Sequence, residues 1–294
     1  MSDREVFGGK ALMVVAAAIV LAIGSHGQIT VAQGPAQGGA GRGQGAPVGS
    51  GQGRGPAQAQ TPRTEAPIDL TGYWVSIVTE DWRWRMVTPA KGDYASLPLN
   101  VEGRRVADGW DPAKDEREGN ACKGYGAAAI MRVPGRVHII WDNESTLKIE
   151  TDAGLQTRLL RFGDTQPPPE KSWQGSSMAT WEIAGARGRG GAGGGGGRGA
   201  PVGAPTSGPR FGSLKVVTTH MKSGYLRKNG VPYSEDAVVT EHFDRHSEAN
   251  GDEWFTVTTI VDDPKYLAEP FITSSGFKKE RDGAKWRPTP CAAQ

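Results

Sequence analysis

The sequence predicts a mainly β protein: an antiparallel barrel of about ten strands, with one short helix and two disordered glycine-rich tracts. Three observations support this fold class. Apolar and polar residues alternate along most of the chain, one segment alone has a helical pattern, and two stretches lack the apolar residues that a core requires. A closed barrel is favoured because closure removes exposed edge strands, with a two-layer sandwich as the alternative.

Alternation with a period of two is typical of strands that have one buried and one solvent-facing side. It is clearest in residues 146–151, which read Thr-Leu-Lys-Ile-Glu-Thr. Turn residues such as Pro134-Gly135 separate the alternating segments. The predicted strands cover residues 70–78, 81–87, 128–133, 136–142, 146–151, 155–162, 173–183, 213–221, 237–246, 253–261 and 270–279.

The one predicted helix lies in residues 99–109. Asn100 can cap its first turn, and Gly109 can end it. Val101 and Val106 would give this helix an apolar edge.

Residues 1–32 are predicted to be a signal peptide. Residues 11–23 form an uncharged apolar run of 13 residues, shorter than the roughly 20 that a membrane-spanning helix needs. Residues 30–32 read Thr-Val-Ala, a pattern typical of signal-peptide cleavage sites. An uncleaved membrane anchor is the alternative. We therefore expect a periplasmic or secreted protein with no membrane span once the signal is removed.

Residues 33–67 are predicted to be a disordered linker rich in Gly, Pro and Gln. Residues 68–291 are predicted to form a single barrel domain, interrupted by a disordered glycine-rich loop over 185–212. Both tracts hold too few apolar residues to offset the entropy lost on ordering them. Residues 33–60 and 185–212 contain six arginines and no acidic residue, whereas the net charge of the chain is +2. The remaining segments are therefore acidic overall, and no nucleic acid partner is expected.

Cys122 and Cys291 are the two cysteines of the chain. An even number of cysteines in an exported protein predicts a disulfide. This bond would hold the C-terminus on the loop after Trp110 and add roughly 5 kcal/mol of stability by chain-entropy reasoning. Two free buried thiols are the alternative.

Several segments resemble a large group of exported bacterial proteins of uncharacterised function. They include residues 172–182, SWQGSSMATWE, and the Thr-Thr, Ser-Glu, Thr-Glu-His-Phe and Asp-Asp-Pro motifs within residues 213–271. In this chain the glycine tract replaces the tight Gly-Asp turn of the group. Gly72-Tyr73-Trp74 is also similar to the Gly-x-Trp motif of lipocalin-type barrels. The resemblance implies a lipocalin-like β-barrel and export, and it implies no particular activity.

Residues 79–88, TEDWRWRMVT, form the densest cluster of charged and aromatic residues. As a strand, this segment would place its two tryptophans on one face and Asp81, Arg83 and Arg85 on the other. In one interpretation the charged face is in solvent. In the other, these three residues line the barrel lumen, where paired arginines would bind a carboxylate or phosphate.

Three further residues complete the predicted ligand-binding set. Tyr94 follows a Gly-Asp turn, His220 ends an alternating face, and His242 lies within a predicted strand. The spacing of His242 and His246 would suit zinc on a helix, but on a strand the two are roughly 13 Å apart. No metal or cofactor is therefore predicted. The full predicted set is Asp81, Arg83, Arg85, Tyr94, His220 and His242.

Three functions are consistent with these patterns. The first is an exported barrel that binds a small amphipathic or anionic ligand, in a cavity of about 300 Å³ or more. The second is an acid–base enzyme on the same barrel, namely a hydrolase, lyase or isomerase. The third is a structural envelope protein without a ligand. The sequence identifies neither a ligand nor an oligomeric state, and it does not decide between a binding protein and an enzyme.

Overall fold

A computed structural model describes residues 60–184 and 211–293, which belong to one compact unit, Ala57–Gln294. The predicted signal peptide, residues 33–59 of the predicted linker and most of the loop predicted at 185–212 lie outside the described residues. The described part begins before residue 68: the Trp181 indole Nε1 donates to the Pro62 carbonyl at 2.7 Å.

The described residues form a closed barrel of nine strands, which confirms a mainly β barrel fold. Around the barrel the order is β1-β11-β10-β9-β6-β5-β4-β3-β2, and β2 pairs with β1 to close it. Two more strands, β7 and β8, form a separate hairpin. The strands are β1 (Gly72–Ile77), β2 (Arg136–Asn143), β3 (Thr146–Thr151), β4 (Thr157–Phe162), β5 (Ser176–Ile183), β6 (Gly212–Thr219), β7 (Gly224–Arg227), β8 (Val231–Tyr233), β9 (Val238–Ser247), β10 (Glu253–Asp262) and β11 (Phe271–Glu280).

The barrel is mixed, which corrects the prediction of about ten antiparallel strands. Strands β4 and β5 run parallel, with Leu160 opposite Ser177 and Phe162 opposite Ala179. The other neighbouring pairs of the described barrel are antiparallel. A parallel pair needs a connection that returns along the sheet. Residues 163–175, which contain three consecutive prolines, make this connection.

Two segments predicted as strands adopt helical structure instead. The described helices are α1 (Trp82–Met86), α2 (Val101–Asp108), α3 (Pro112–Arg117) and the two 3₁₀ helices Ala121–Tyr125 and Ile130–Arg132. The predicted strand at 81–87 is α1, because Asp81 turns the chain with a φ of 53° and its carbonyl accepts from the amides of residues 84 and 85. The predicted strand at 128–133 contains the second 3₁₀ helix.

Three connections of the described barrel meet at one end. There β1 ends and β2 begins, β6 ends and β9 begins, and β10 ends and β11 begins. We call the three connections, residues 78–135, 220–237 and 263–270, the cap. They contain the helices and the β7–β8 hairpin. Tyr94, Leu226, Tyr233 and Leu267 of the cap pack in one hydrophobic cluster with Val239 of the barrel.

Aromatic side chains fill the barrel interior. The Phe255 ring stacks on Phe277 with ring centroids 4.6 Å apart and meets Trp74 edge-on at 4.9 Å. All three are almost completely buried. Nearer the cap, Arg158 of β4 pairs with Glu241 of β9 through bonds of 3.0 and 2.5 Å, and both side chains are fully buried. The interior is therefore a packed core.

The helix predicted at residues 99–109 is confirmed as α2. The Asn100 side chain accepts a hydrogen bond of 2.8 Å from the Gly103 amide, and Gly109 follows the last helical residue. The predicted apolar edge is wrong for Val101, which is 87% exposed, whereas Val106 is partly buried. The buried face consists of Gly103 and Ala107. A Cβ at position 103 would clash with the Tyr266 carbonyl oxygen, so the helix approaches residues 263–270 at a glycine.

Replacing Asn100 by alanine should destabilise the protein by about 1–2 kcal/mol, because it removes the N-cap of α2. The same side chain donates to the carbonyls of Pro264 and Lys265 at 3.3 and 3.1 Å. Asn100→Asp keeps the cap acceptor but loses these donors, and it should lie between alanine and wild type. Urea unfolding measures both variants, and an unchanged midpoint for Asn100→Ala would contradict this role.

Candidate functional site

A narrow cleft in the cap brings together three arginines from distant parts of the chain. Arg85 belongs to α1, Arg132 ends a 3₁₀ helix and Arg227 ends β7. We call this the arginine cleft; its volume is about 50 Å³. Its lining residues are Trp84, Arg85, Thr88, Gly124, Ala129, Arg132, Val133, Pro134, Leu226, Arg227 and Lys228.

Each of the three guanidinium groups is fixed by one or more bonds within the cap. Arg85 Nε donates to the Arg132 carbonyl at 2.8 Å, and Arg132 Nη2 donates to Asp81 Oδ2 at 2.7 Å. Arg227 Nη1 makes a longer contact of 3.4 Å with the Asp93 carbonyl. These bonds hold the side chains in place and leave much of their donor capacity unused.

Five guanidinium nitrogens at the cleft have no hydrogen-bond partner within residues 60–184 and 211–293. They are Arg85 Nη1 and Nη2, Arg132 Nε, and Arg227 Nε and Nη2. All five are shielded from solvent. Buried polar groups in folded proteins are nearly always paired, so five unpaired charged donors at one place mark this cleft as unusual.

The three arginines also disfavour one another's charge. Burial, together with the nearby Arg227 and Arg85, lowers the pKa of Arg132 to about 10, and Asp81 opposes the shift. Burial likewise lowers the pKa values of Arg85 and Arg227, with Asp81 again opposing. The cleft is therefore a site of concentrated positive charge, which the nearby carboxylates of Glu80, Asp81 and Asp93 compensate only in part.

Aromatic rings support the cations around the cleft. The Arg227 guanidinium lies 5.1 Å from the Trp84 ring centroid, within the range of a cation–π interaction. The Trp84 Nε1 group donates to both carboxylate oxygens of Asp93 at 3.3 Å. Lys228 Nζ donates to the Tyr125 hydroxyl at 3.0 Å. These contacts orient the side chains around the cleft.

Asp81, Arg83 and Arg85 do not line the barrel lumen, so that interpretation of residues 79–88 is wrong. On a helix, residues two apart point about 200° away from each other, and α1 separates the two arginines accordingly. Arg85 lines the cleft, whereas Arg83 is 67% exposed and pairs with Asp93 at 3.0 Å. Asp81 lies behind the cleft as the partner of Arg132.

The other three residues of the predicted set lie outside the arginine cleft. Tyr94 is buried in the cap, its hydroxyl donates to Asp108 at 2.8 Å, and burial followed by this bond raises its pKa to about 12. His220 follows β6 with a φ of 60°. His242 lies on the outer face of β9, 3.1 Å from Glu182, because Glu241 and its alternating neighbours face inward. The structure does not bring these residues together.

The sequence analysis missed Arg132, Arg227 and Lys228. Arg132 lies in the segment predicted as a strand at 128–133, and no sequence pattern there distinguishes it from other arginines. Arg227 and Lys228 precede Asn229-Gly230, and Gly230 has a φ of 86°. An Asn-Gly pair between apolar residues is a strong hairpin pattern, and it would have indicated the β7–β8 hairpin that presents both cations.

Three larger depressions of about 330, 640 and 500 Å³ lie elsewhere on the surface. Only the first has several cations, and three of these have carboxylate partners: Lys278 with Asp252, Lys279 with Glu253, and Lys285 with Glu280. The arginine cleft is therefore the better candidate site for an anion.

The predicted disulfide between Cys122 and Cys291 is confirmed. Cys122 lies in the 3₁₀ helix Ala121–Tyr125, which also contains Gly124 of the cleft wall. The disulfide thus ties the C-terminal segment to one side of the candidate site.

Comparison with known proteins finds no matching family model, no matching curated protein and no matching solved structure. In the part of the chain that the structure describes, no helix is long and apolar enough to span a bilayer. The same part holds no group of three or more His, Cys, Asp or Glu side chains arranged to bind a metal ion.

Proposed function

We propose that this protein is an exported binding protein that holds the anionic group of a small ligand in the arginine cleft. The observation that supports this most directly is the set of five unpaired guanidinium nitrogens at one site. Leaving a buried charged donor unpaired costs about 1–3 kcal/mol or more. An anion would pair several of these donors in charge-assisted hydrogen bonds, which are among the stronger ones in proteins.

The size of the cleft limits what it can enclose. Its volume of about 50 Å³ is far below the 300 Å³ or more of a typical small-molecule site. It can accommodate one anionic group, and the rest of the ligand would lie outside. Trp82 and Met86 on the neighbouring face of α1 are more than half exposed and offer apolar surface to an amphipathic ligand.

Export is consistent with the disulfide. Disulfides persist mainly in oxidising compartments such as the periplasm or the extracellular space. The bond between Cys122 and Cys291 therefore supports a periplasmic or secreted location, together with the predicted signal peptide.

Replacing Arg85 by glutamine should abolish stabilisation by anions and leave the stability of the unliganded protein within about 1 kcal/mol. The variant removes a positive charge that disfavours the charged form of Arg132, at the cost of one hydrogen bond. A ligand at 100 times its Kd stabilises a protein by about 2.7 kcal/mol, or roughly 5–10 °C in Tm for this size. Thermal unfolding with and without 20 mM phosphate, at constant ionic strength, measures the difference.

Arg83→Gln is the matched control, because Arg83 lies on the same helix but outside the cleft. It should keep the full response to anions. Equal losses in both variants would indicate general electrostatics, and no response in the wild-type protein would contradict the proposed function. Native mass spectrometry of protein purified from its source would identify a retained ligand, and a chemically altered compound would favour an enzyme.

A further inference from the structure

We infer that the group recognised in the arginine cleft is a terminal phosphate, either free or as a monoester, and not a carboxylate. This inference rests on the proposed function, since it specifies which anion that function concerns. It follows from the number of donors, the balance of charge and the size of the cleft.

The number of donors exceeds what a carboxylate can accept. Each Nη of a guanidinium has two hydrogens and each Nε has one. The five unpaired nitrogens, which are two on Arg85, one on Arg132 and two on Arg227, therefore present about eight N–H bonds. A carboxylate has only two acceptor oxygens, with about four acceptor positions in all. A terminal phosphate has three strong acceptor oxygens and can bond to all three guanidinium groups together.

The charge of the cleft also suits a dianion. Arg85, Arg132, Arg227 and Lys228 line it, and none of its described lining residues is acidic. Three carboxylates outside the lining compensate part of this charge: Asp81 pairs with Arg132, Glu80 and Asp81 act on Arg85, and Asp81 and Asp93 act on Arg227. A bound carboxylate would add one negative charge, whereas a terminal phosphate adds about 1.5 to 2 at neutral pH. The phosphate therefore relieves more of the mutual repulsion among the arginines.

The cleft does not enclose the molecule to which the phosphate is attached. A volume of about 50 Å³ is that of three to five bound waters, at roughly 10–15 Å³ each. The Trp84 ring, the one aromatic side chain among the lining residues, already contacts the guanidinium groups of Arg227 and Arg83 at 5.1 and 5.4 Å. We therefore expect selectivity for the phosphate and tolerance of the group that bears it.

The test is calorimetric titration of the purified protein with inorganic phosphate, glycerol phosphate, dimethyl phosphate, sulfate, acetate and malonate, at pH 7.5 and constant ionic strength. Phosphate and glycerol phosphate should bind at least about tenfold more tightly than acetate, malonate or the singly charged diester. Binding of both inorganic phosphate and glycerol phosphate would show that the cleft accepts phosphate monoesters. Binding of inorganic phosphate alone would show that the ligand is free phosphate. Arg85→Gln should lose this binding, and Arg83→Gln should keep it.

A second titration at pH 5.0 separates ligand ionisation from changes in the protein. The second pKa of a phosphate monoester is about 6, so the dianion of glycerol phosphate, and with it the affinity, should fall about tenfold. Sulfate keeps both charges and should show no such loss. The charged and titratable groups at or beside the cleft are Arg85, Arg132, Arg227, Lys228, Glu80, Asp81, Asp93 and the Tyr125 hydroxyl. None is a histidine, the side chain whose ordinary pKa lies in this range.

Acetate or malonate binding as tightly as phosphate would overturn this inference and leave the proposed function intact. An equal fall for sulfate and phosphate at pH 5.0 would overturn the dianion argument. Absence of binding by every anion would contradict the proposed function itself.

Discussion

Replacing Glu241 by glutamine should cost about 3–5 kcal/mol of stability, because it leaves Arg158 as an uncompensated charge inside the barrel. Both side chains are fully buried, and the pair is joined by two hydrogen bonds of 3.0 and 2.5 Å. Thr218 also accepts from Arg158 at 3.4 Å, but a hydroxyl cannot replace the lost negative charge. The measurement is urea unfolding followed by circular dichroism.

The double variant Arg158→Met with Glu241→Leu is the control for this prediction. Replacing both members of a buried ion pair by apolar side chains is often neutral or stabilising. The double variant should therefore recover most of the stability lost in Glu241→Gln, a non-additive result that identifies the pair as the cause. If Glu241→Gln alone were as stable as the wild-type protein, the pair would not hold the fold.

Replacing both cysteines by serine should lower the free energy of unfolding by about 5 kcal/mol. The bond between Cys122 and Cys291 spans 169 residues, and the entropy that a disulfide removes from the unfolded chain grows with loop length. For a domain of this size the loss corresponds to roughly 10–20 °C in Tm. Thermal unfolding by calorimetry measures it.

Reduced wild-type protein is the matched control, because it loses the bond without a substitution. It should unfold at nearly the same temperature as the double serine variant, which should itself not respond to reductant. Other contacts also hold the C-terminal segment: the Ala293 amide donates to Glu116 at 2.7 Å. A loss below about 1 kcal/mol would show that these contacts suffice.

Residues 146–151 and 81–87 have similar alternating patterns but adopt different structures. The first segment alternates and is a strand with the predicted bounds, because six alternating residues offer an apolar face that a helix cannot present. The second also alternates, but it is helix α1. Alternation over these seven residues does not make the segment a strand, because tertiary contacts outweigh it. Contacts of Asp81 with Arg132 and of Arg85 with the Arg132 carbonyl fix the helix instead.

The mainly β fold, the capped helix α2 and the disulfide follow from local or compositional features: alternation, the Asn100 cap and two cysteines in a chain with a predicted signal peptide. The choice of a closed barrel over a two-layer sandwich does not follow from these features. The parallel pairing of β4 with β5 does not, since the direction of a strand depends on where its connection travels. The tertiary structure also decided the candidate site. Its three arginines lie at positions 85, 132 and 227, and the chain holds many arginines. Burial and the loss of partners distinguish these three, and both properties arise only when distant segments pack together.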